Sequence, residues 1–390
     1  MKTLIELYDE RPIENVLAAD VFRPDTVVYL CPAEALRGQS FKTLIESYFR
    51  YREEDIKTVF LETSLYYADK VKKQLKRVTD EYPDCVLDIT GGTDAALYAG
   101  GLFCAETDIP TFTYSRKRNR FYNINSAEFL DGLRCEPIYD LDDFFKMAGG
   151  SARTGRAENE ELIAHEKFID RFFAIYLIYR REWVNITNWF QRASAPEKNG
   201  KVNLHVESAY SVKAERGGSI QANETVLKEL ENLSFISNLK IKHTETVSFD
   251  FKDEKTRFWL RDTGSVLELY AWKACRDTGV FSDVRCSTIV DWIDSEKSFK
   301  VSNEIDVLAL KELTPVFISC KVCEIDTDSL NELSILRNRF GGETSKAIII
   351  TTQKCRTITR HRASALDISV IDIDDLKKTE LSEQIKEIVS

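Results

Sequence analysis

Three ionisable side chains in the C-terminal third of the chain stand in apolar surroundings. Asp306 interrupts the strand-like run Asn303-Glu304-Ile305-Asp306-Val307, and Lys321 closes the run Ile318-Ser319-Cys320-Lys321. Glu268 lies on the inner face of a helix in Leu267-Glu268-Leu269-Tyr270-Ala271-Trp272. Neighbouring antiparallel strands bring Asp306 and Lys321 within a few ångströms of one another. Burying such groups is costly unless they are paired or metal-bound. Two arrangements meet that demand. One is a structural salt bridge. The other is a site for metal-dependent cleavage of phosphodiesters. In it Asp306 holds a hard divalent cation, which polarises the phosphate and acidifies a bound water. Lys321 orients that water or stabilises the pentacovalent charge, and Glu268 is the second ligand or the proton acceptor. Asp294, in Asp291-Trp292-Ile293-Asp294, reads as a solvated turn carboxylate.

Two further features concern phosphate. Asp88-Ile89-Thr90-Gly91-Gly92-Thr93-Asp94 joins a strand to a helix. Its glycines and threonines expose backbone N–H groups and hydroxyls at the helix N-terminus, which cradles phosphate or simply makes a tight, capped turn. Arg11 and Asn15, in the loop after the first strand, point at the same crevice if the strand order is Rossmann-like. Between 336 and 362 the chain carries Arg337, Arg339, Lys346, Lys354, Arg356, Arg360 and Arg362 against Glu343 alone. In a chain of net charge −10 that asymmetry marks either a polyanion-binding stripe or a solubilising face. The single CxxC, Cys320-Lys321-Val322-Cys323, lacks a second pair, and the four histidines are scattered, so zinc is not expected.

These residues need elements to position them. The 390 residues suffice for two or three domains, and 43 % hydrophobic against 30 % charged residues excludes disorder. Strands at 4–8, 26–30, 56–61, 85–89 and 111–114 alternate with helices at 13–19, 41–51, 66–78 and 94–106. This is the rhythm of βαβ crossovers, a mostly parallel sheet and a Rossmann-like domain over 1–145. Residues 146–156 read as a linker. The span 146–260 is then a helical linker, with a helical stretch over 160–190 and a helix at 224–233. Strands at 247–251 and 257–260 flank a charged turn, and helix plus hairpin suggests a small winged-helix-like module. From 261 to 390 a second α/β domain runs helix 265–275, strands 283–293, 304–310 and 315–321, helix 329–340, strand 346–352, helix 362–366 and strand 368–373. No apolar run approaches the roughly 20 residues that span a bilayer, so no membrane association is expected. The N-terminus shows no apolar signal segment, and nine cysteines mostly inside apolar runs fit reduced thiols in a cytoplasm.

Helix glutamate, Glu-Ile-Asp, then lysine at the end of the next strand resembles the PD-(D/E)xK nucleases of the restriction-endonuclease-like fold, over about 262–375. Ser319 stands where that family carries an acid two residues before the lysine. The resemblance leaves Asp306, Glu268, Glu304, the backbone carbonyl of Cys320 and water to hold the metal, Mn2+ or Mg2+. Together with the Thr-Gly-Gly-Thr loop, the whole chain resembles the CRISPR-associated Rossmann-fold (CARF) effector nucleases, most closely the group activated by cyclic tetra-adenylate. That resemblance implies a homodimer that binds one cyclic oligoadenylate across paired CARF domains. It further implies cleavage of single-stranded RNA and/or single-stranded DNA. Arg11, Asn15, Thr90, Gly91, Gly92, Thr93 and Asp94 would face the messenger, and Arg337, Arg339, Lys354, Arg356 and Arg360 would contact the nucleic acid. A CARF-type transcription regulator with an inert nuclease-like domain is the alternative, and an ungated nuclease that uses its N-terminal domain only to dimerise is a third.

Overall fold

A computed structural model describes residues 1–390 except 38–39, 136, 156–158, 195–201, 216 and 293–301. The N-terminal alternation folds into a six-stranded sheet of order β3-β2-β1-β4-β5-β6. Strands β1 (Thr3–Leu7), β2 (Thr26–Cys31), β3 (Lys57–Glu62), β4 (Cys85–Asp88) and β5 (Thr111–Ser115) are parallel. The sixth, β6 (Arg120–Asn125), which the sequence reading lacked, runs antiparallel along β5. The crossovers are α1 (Leu17–Phe22), α2 (Ala33–Arg37), α3 (Ser40–Tyr51), α4 (Ala68–Glu81) and α5 (Asp94–Thr107). Helices α4 and α5 cover one face of the sheet; α1 and α3 cover the other. Every residue of β1 is buried, as expected of a central strand between two helical layers. The order reverses between β1 and β4, and the loops that follow these two strands form the crevice typical of such a switch point.

The segment 146–156 is not a linker. Helix α6 (Leu141–Met147) ends inside it with Phe144, Phe145 and Met147 buried, and β7 (Ser151–Thr154) pairs antiparallel with β13 (Asp283–Asp291). Its glycines serve close packing rather than flexibility: a Cβ on Gly155 would lie 2.2 Å from the Ser287 carbonyl oxygen. The central helices are α7 (Asn159–Ile163), α8 (Glu166–Tyr179) and α9 (Trp183–Ala193). Strands β8 (His205–Ala209), β9 (Ser211–Lys213) and β10 (Ser219–Gln221) lead to α10 (Glu224–Asn232), then β11 (Ile236–Lys242) and β12 (Thr246–Phe251). The hairpin is therefore β11–β12, closed by a turn in which His243 and Thr244 both have left-handed backbone. Residues 257–260, expected as a strand, belong to helix α11 (Glu254–Arg261). Asp253 and Thr256 form a capping box there, and that local signal overrides the strand preference of Phe258 and Trp259.

Helix α12 (Ser265–Asp277) opens the C-terminal unit, a second six-stranded sheet of order β17-β16-β15-β14-β13-β7. Antiparallel β13, β14 (Ser302–Lys311) and β15 (Thr314–Lys321) are joined by parallel β16 (Lys346–Thr351) and β17 (Ile368–Ile371). Helices α13 (Thr327–Phe340), α14 (Thr357–Ala365), α15 (Ile373–Leu376) and α16 (Leu381–Ile388) complete it. The two large sheets share one apolar layer, in which Tyr29, Phe112 and Phe121 belong to the same cluster as Phe145, Leu308, Phe317 and Phe340. The far face of the second sheet packs in one cluster with α8, α12 and the segment from β8 to β12. No helix among the described residues is long and apolar enough to cross a membrane.

Candidate nuclease site and ligand crevice

Asp306 and Lys321 come together. They line one cavity of about 50 Å³ with Glu304, Ser319, Ser329 and Glu332, where β14 and β15 cease to pair and α13 begins. Strand pairing stops at Val307 and Ile318, so Asp306 lies beyond the last rung, and its Oδ2 accepts the Cys320 N–H at 2.6 Å and the Ser319 hydroxyl at 3.3 Å. On the other flank Ser287, facing Asp306, has left-handed backbone. Around that kink the faces exchange, since Cys286 and Val307 point into one core while Val290 and Ile305 point into the other. Burial pushes the Asp306 carboxyl up. The Cys320 N–H, Lys321 and the Ser319 hydroxyl pull it back only in part, and Glu304 adds to the rise. Lys321 makes no ion pair within 4 Å among the described residues, so the structural salt bridge is absent in its contact form. Glu304 accepts the Ser287 hydroxyl at 2.6 Å.

Glu268 does not line that cavity. It sits on the first turn of α12, half-buried, where a Cβ on Gly264 would touch its Oε1 at 2.9 Å. Helix α12 packs on β15 through Leu267, whose carbonyl accepts the Cys320 thiol at 3.9 Å. Burial pushes that thiol well up, and the charges of Asp306 and Glu268 both reinforce the effect. All nine cysteines are free. Asp294 lies outside the described residues.

Do these groups suit a metal? Among the described residues Asp306 Oδ1 accepts no hydrogen bond, and no three His, Cys, Asp or Glu side chains cluster as metal ligands. Asp306, Glu268 and the Cys320 carbonyl would offer oxygen donors alone, which suits Mg2+ or Mn2+ better than zinc. Glu332, on α13, is a cavity residue that sequence spacing did not reveal, because only the fold places α13 over the strand ends.

The basic stripe is largely neutralised by acids from outside it. Arg337, with a side chain only 12 % exposed, is held by the Asp367 carbonyl and carboxylate at 2.9 and 2.6 Å. Arg360 pairs with Asp372 and Asp375 at 2.8 and 2.6 Å. Arg339 donates to the Trp292 carbonyl at the far end of α13 from the cavity. Arg337 is therefore an internal clamp, whereas Arg360, its side chain 40 % exposed, keeps part of its surface beside its two carboxylates. Lys354 and Arg356 remain mostly exposed, with Asp374 and Glu324 as partners, and follow β16 at the sheet end that carries Lys321.

In the N-terminal crevice, Asp9 ties the two loops together. Its Oδ2 accepts the Gly92 N–H at 3.0 Å, and its Oδ1 accepts the Arg11 N–H and Nε at 2.8 and 3.0 Å. Burial alone would raise this carboxyl, but those hydrogen bonds hold it below the usual range. A Cβ on Gly91 would come within 2.9 Å of the Asp9 Cβ, and Gly92 has φ +129°. Asn15 is fully buried. Its amide bonds Asp9 N and the carbonyls of Asp9 and Arg11, so it shapes the loop and does not face the crevice. Thr90 Oγ1 accepts the Tyr114 N–H, and Thr93 Oγ1 caps α5 and donates to the Leu65 carbonyl. Asp94 is exposed at the start of α5. Beneath the loops burial drives Glu6 well up and Asp88 to about 7.

A Rossmann-like unit with a loop-lined crevice, fused through a common core to a restriction-endonuclease-like unit, defines a two-part nuclease architecture. Residues 252–389 match the model of the Card1-like endonuclease domain, in line with the resemblance to CARF effector nucleases. The match begins ahead of 261 and takes in α11. The whole chain superposes on protein VC1899 from Vibrio cholerae with TM-score 0.75 and 13 % identity, covering 99 % of this chain and 97 % of that one. Can2 from Sulfobacillus thermosulfidooxidans, solved with cyclic tetra-adenylate, gives TM-score 0.69 and 15 % identity over 100 % and 99 %. No curated protein matches in sequence.

Proposed function

We propose that the chain is a metal-dependent endonuclease of type III CRISPR defence, switched on by a cyclic oligoadenylate, of which cyclic tetra-adenylate is the first candidate. Its substrates are single-stranded RNA and/or single-stranded DNA, and its working form is a homodimer. The observation that carries this reading is the meeting of Asp306 and Lys321 in one cavity of a Card1-like endonuclease domain. The messenger is suggested by the Can2 complex, whose fold the chain shares end to end.

Asp306, Glu268 and the Cys320 carbonyl would hold Mn2+ or Mg2+. When bound, the ion polarises the scissile phosphate and lowers the pKa of a coordinated water. The chain's own groups do the rest. The Cys320 N–H and Ser319 hydroxyl fix the Asp306 carboxylate, leaving Oδ1 to the cavity. The Lys321 ammonium offsets charge that develops on the phosphate. Lys354 and Arg356 steer the polyanion to this end of the sheet. In the crevice a phosphate would face the start of α5, where Gly91 and Gly92 let the loop pack against Asp9 and Leu7. Arg11 and Thr93 stand at its rim.

Titration of the apo chain with Mn2+, alongside a cleavage assay, tests the site. Asp306→Ala should lower metal affinity at least about tenfold, and both Asp306→Ala and Lys321→Ala should abolish cutting while messenger binding persists. Cutting at the wild-type rate by both variants would refute the assignment. The transcription-regulator alternative is disfavoured by α10, whose Glu224, Glu229 and Glu231 outnumber Lys228 and would repel DNA phosphates. Metal- and messenger-independent duplex binding would restore it.

A further inference from the structure

Resting on the messenger reading for its trigger, we propose that Arg116 is the positioning residue through which the crevice loops set the β14–β15 hairpin that carries Asp306 and Lys321. Arg116 follows β5 and is almost fully buried. One of its terminal nitrogens donates to the carbonyl of Leu313 at 2.9 Å. Leu313 lies in the two-residue turn between β14 and β15, where no strand partner satisfies that oxygen. The other terminal nitrogen stands 3.8 Å from the Glu14 carboxylate, which is itself buried and lies 3.8 Å from Arg11. Arg11 is paired with Asp9, and Asp9 accepts the Gly92 N–H of the loop after β4. One continuous polar chain thus runs from the crevice to the turn. From the turn, six residues of β14 lead back to Asp306, about 20 Å away at strand rise.

The chain is built to change. Ion pairs at 3.8 Å exceed hydrogen-bond length, and the buried Arg116 Nε has no hydrogen-bond partner among the described residues. A buried, incompletely satisfied guanidinium gains from any rearrangement that completes its bonding. An anion that draws Arg11 away from Asp9 and Glu14 leaves Glu14 to Arg116 alone. That shortens one contact at the expense of the other, and the turn follows. The second grip on the turn is Arg134, which pairs with Glu312 at 2.7 Å on the surface and is no part of the crevice.

Hydrogen exchange of the full chain without ligand provides the test. Glu14→Gln touches neither turn nor cavity, yet should speed exchange of the 311–314 amides about tenfold. It should alter Cys320 N–H exchange in the same sense and leave the β2 amides unchanged. A merely structural weakening would speed all three. The double variant with Arg116→Met should be no faster at the turn than Arg116→Met alone. Additive effects, or wild-type exchange at the turn in Glu14→Gln, overturn the proposal. Glu14→Gln suffices should Arg116→Met not fold. With cyclic tetra-adenylate bound, the wild-type turn should change its exchange rate and that of Arg116→Met should not; binding with no change at the wild-type turn also overturns it. If cyclic tetra-adenylate does not bind, the messenger reading falls, and the ligand-free comparison still decides the role of Arg116.

Discussion

Asp88 carries a pH signature. It is buried at the end of β4, and burial lifts its carboxyl to about 7, against about 4 in an unfolded chain. Between those values the folded state keeps a proton that the unfolded state releases. Stability from this group is therefore complete below pH 4, declines as pH rises to 7 and is then constant. The loss is on the order of 4 kcal/mol at most. Thermal melts from pH 4.5 to 8 should show this decline in the wild type and its removal in Asp88→Asn; equal slopes would contradict it. Ser319 supports a second experiment. Its hydroxyl lies 3.3 Å from Asp306 Oδ2, so Ser319→Asp places two carboxylates side by side. Without metal they repel and share a proton, lowering the melting temperature. With Mn2+ they should bind about tenfold tighter than wild type and recover that stability. Unchanged Mn2+ affinity in calorimetry would show that no ion sits there. At this scale the sequence was legible where a charge interrupts an apolar run, as at Asp306 and Lys321. It misled where a polar residue is consumed locally. Nothing in the spacing of Asn15 distinguishes a ligand-facing amide from one that closes its own loop, and nothing in the count of basic residues near Arg337 and Arg360 reveals acids that fold brings from Asp367, Asp372 and Asp375.

At the level of elements, periodicity placed most strands of both sheets, because buried strands leave long apolar runs, separated by helices in the first sheet and set antiparallel in much of the second. The pattern weakened where elements are short or held by distant partners. Strand β7 has four residues and exists only because β13 offers an edge. Helix α6 is fixed from two sides. Arg52, just past the end of α3, bridges Asp20 of α1 at 3.0 Å and Asp143 of α6 at 2.9 Å, Tyr139 donates to Asp20 at 2.7 Å, and Arg285 of β13 grips Asp142 at 2.8 Å. Removing Arg52 leaves the fully buried Asp20 without its cation. Arg52→Met should therefore cost about 3 kcal/mol in denaturant unfolding, while Arg356→Ala, on an exposed pair, should cost under about 1 kcal/mol. Similar losses in both would mean that the α1–α3–α6 cluster is not what joins the units.

The whole molecule is two sheets sharing one apolar layer, so crevice and cavity are joined by packed elements and not by a tether. A rigid connection of that kind favours coupling, because a packed layer passes a displacement on where a loop would absorb it. It remains for the messenger to bind one arrangement better than the other. The homodimer reading adds a stoichiometric consequence: calorimetric titration with cyclic tetra-adenylate should saturate at one ligand per two chains, and one per chain would contradict a messenger bound across paired crevices. The central claim, that occupancy of the N-terminal crevice governs chemistry at Asp306 and Lys321, is tested most directly by one assay. Cleavage of labelled single-stranded RNA and DNA is followed with Mn2+, with and without cyclic tetra-adenylate. The account predicts fragments only when both are present and none from Asp306→Ala. Equal cutting with and without the nucleotide would contradict it.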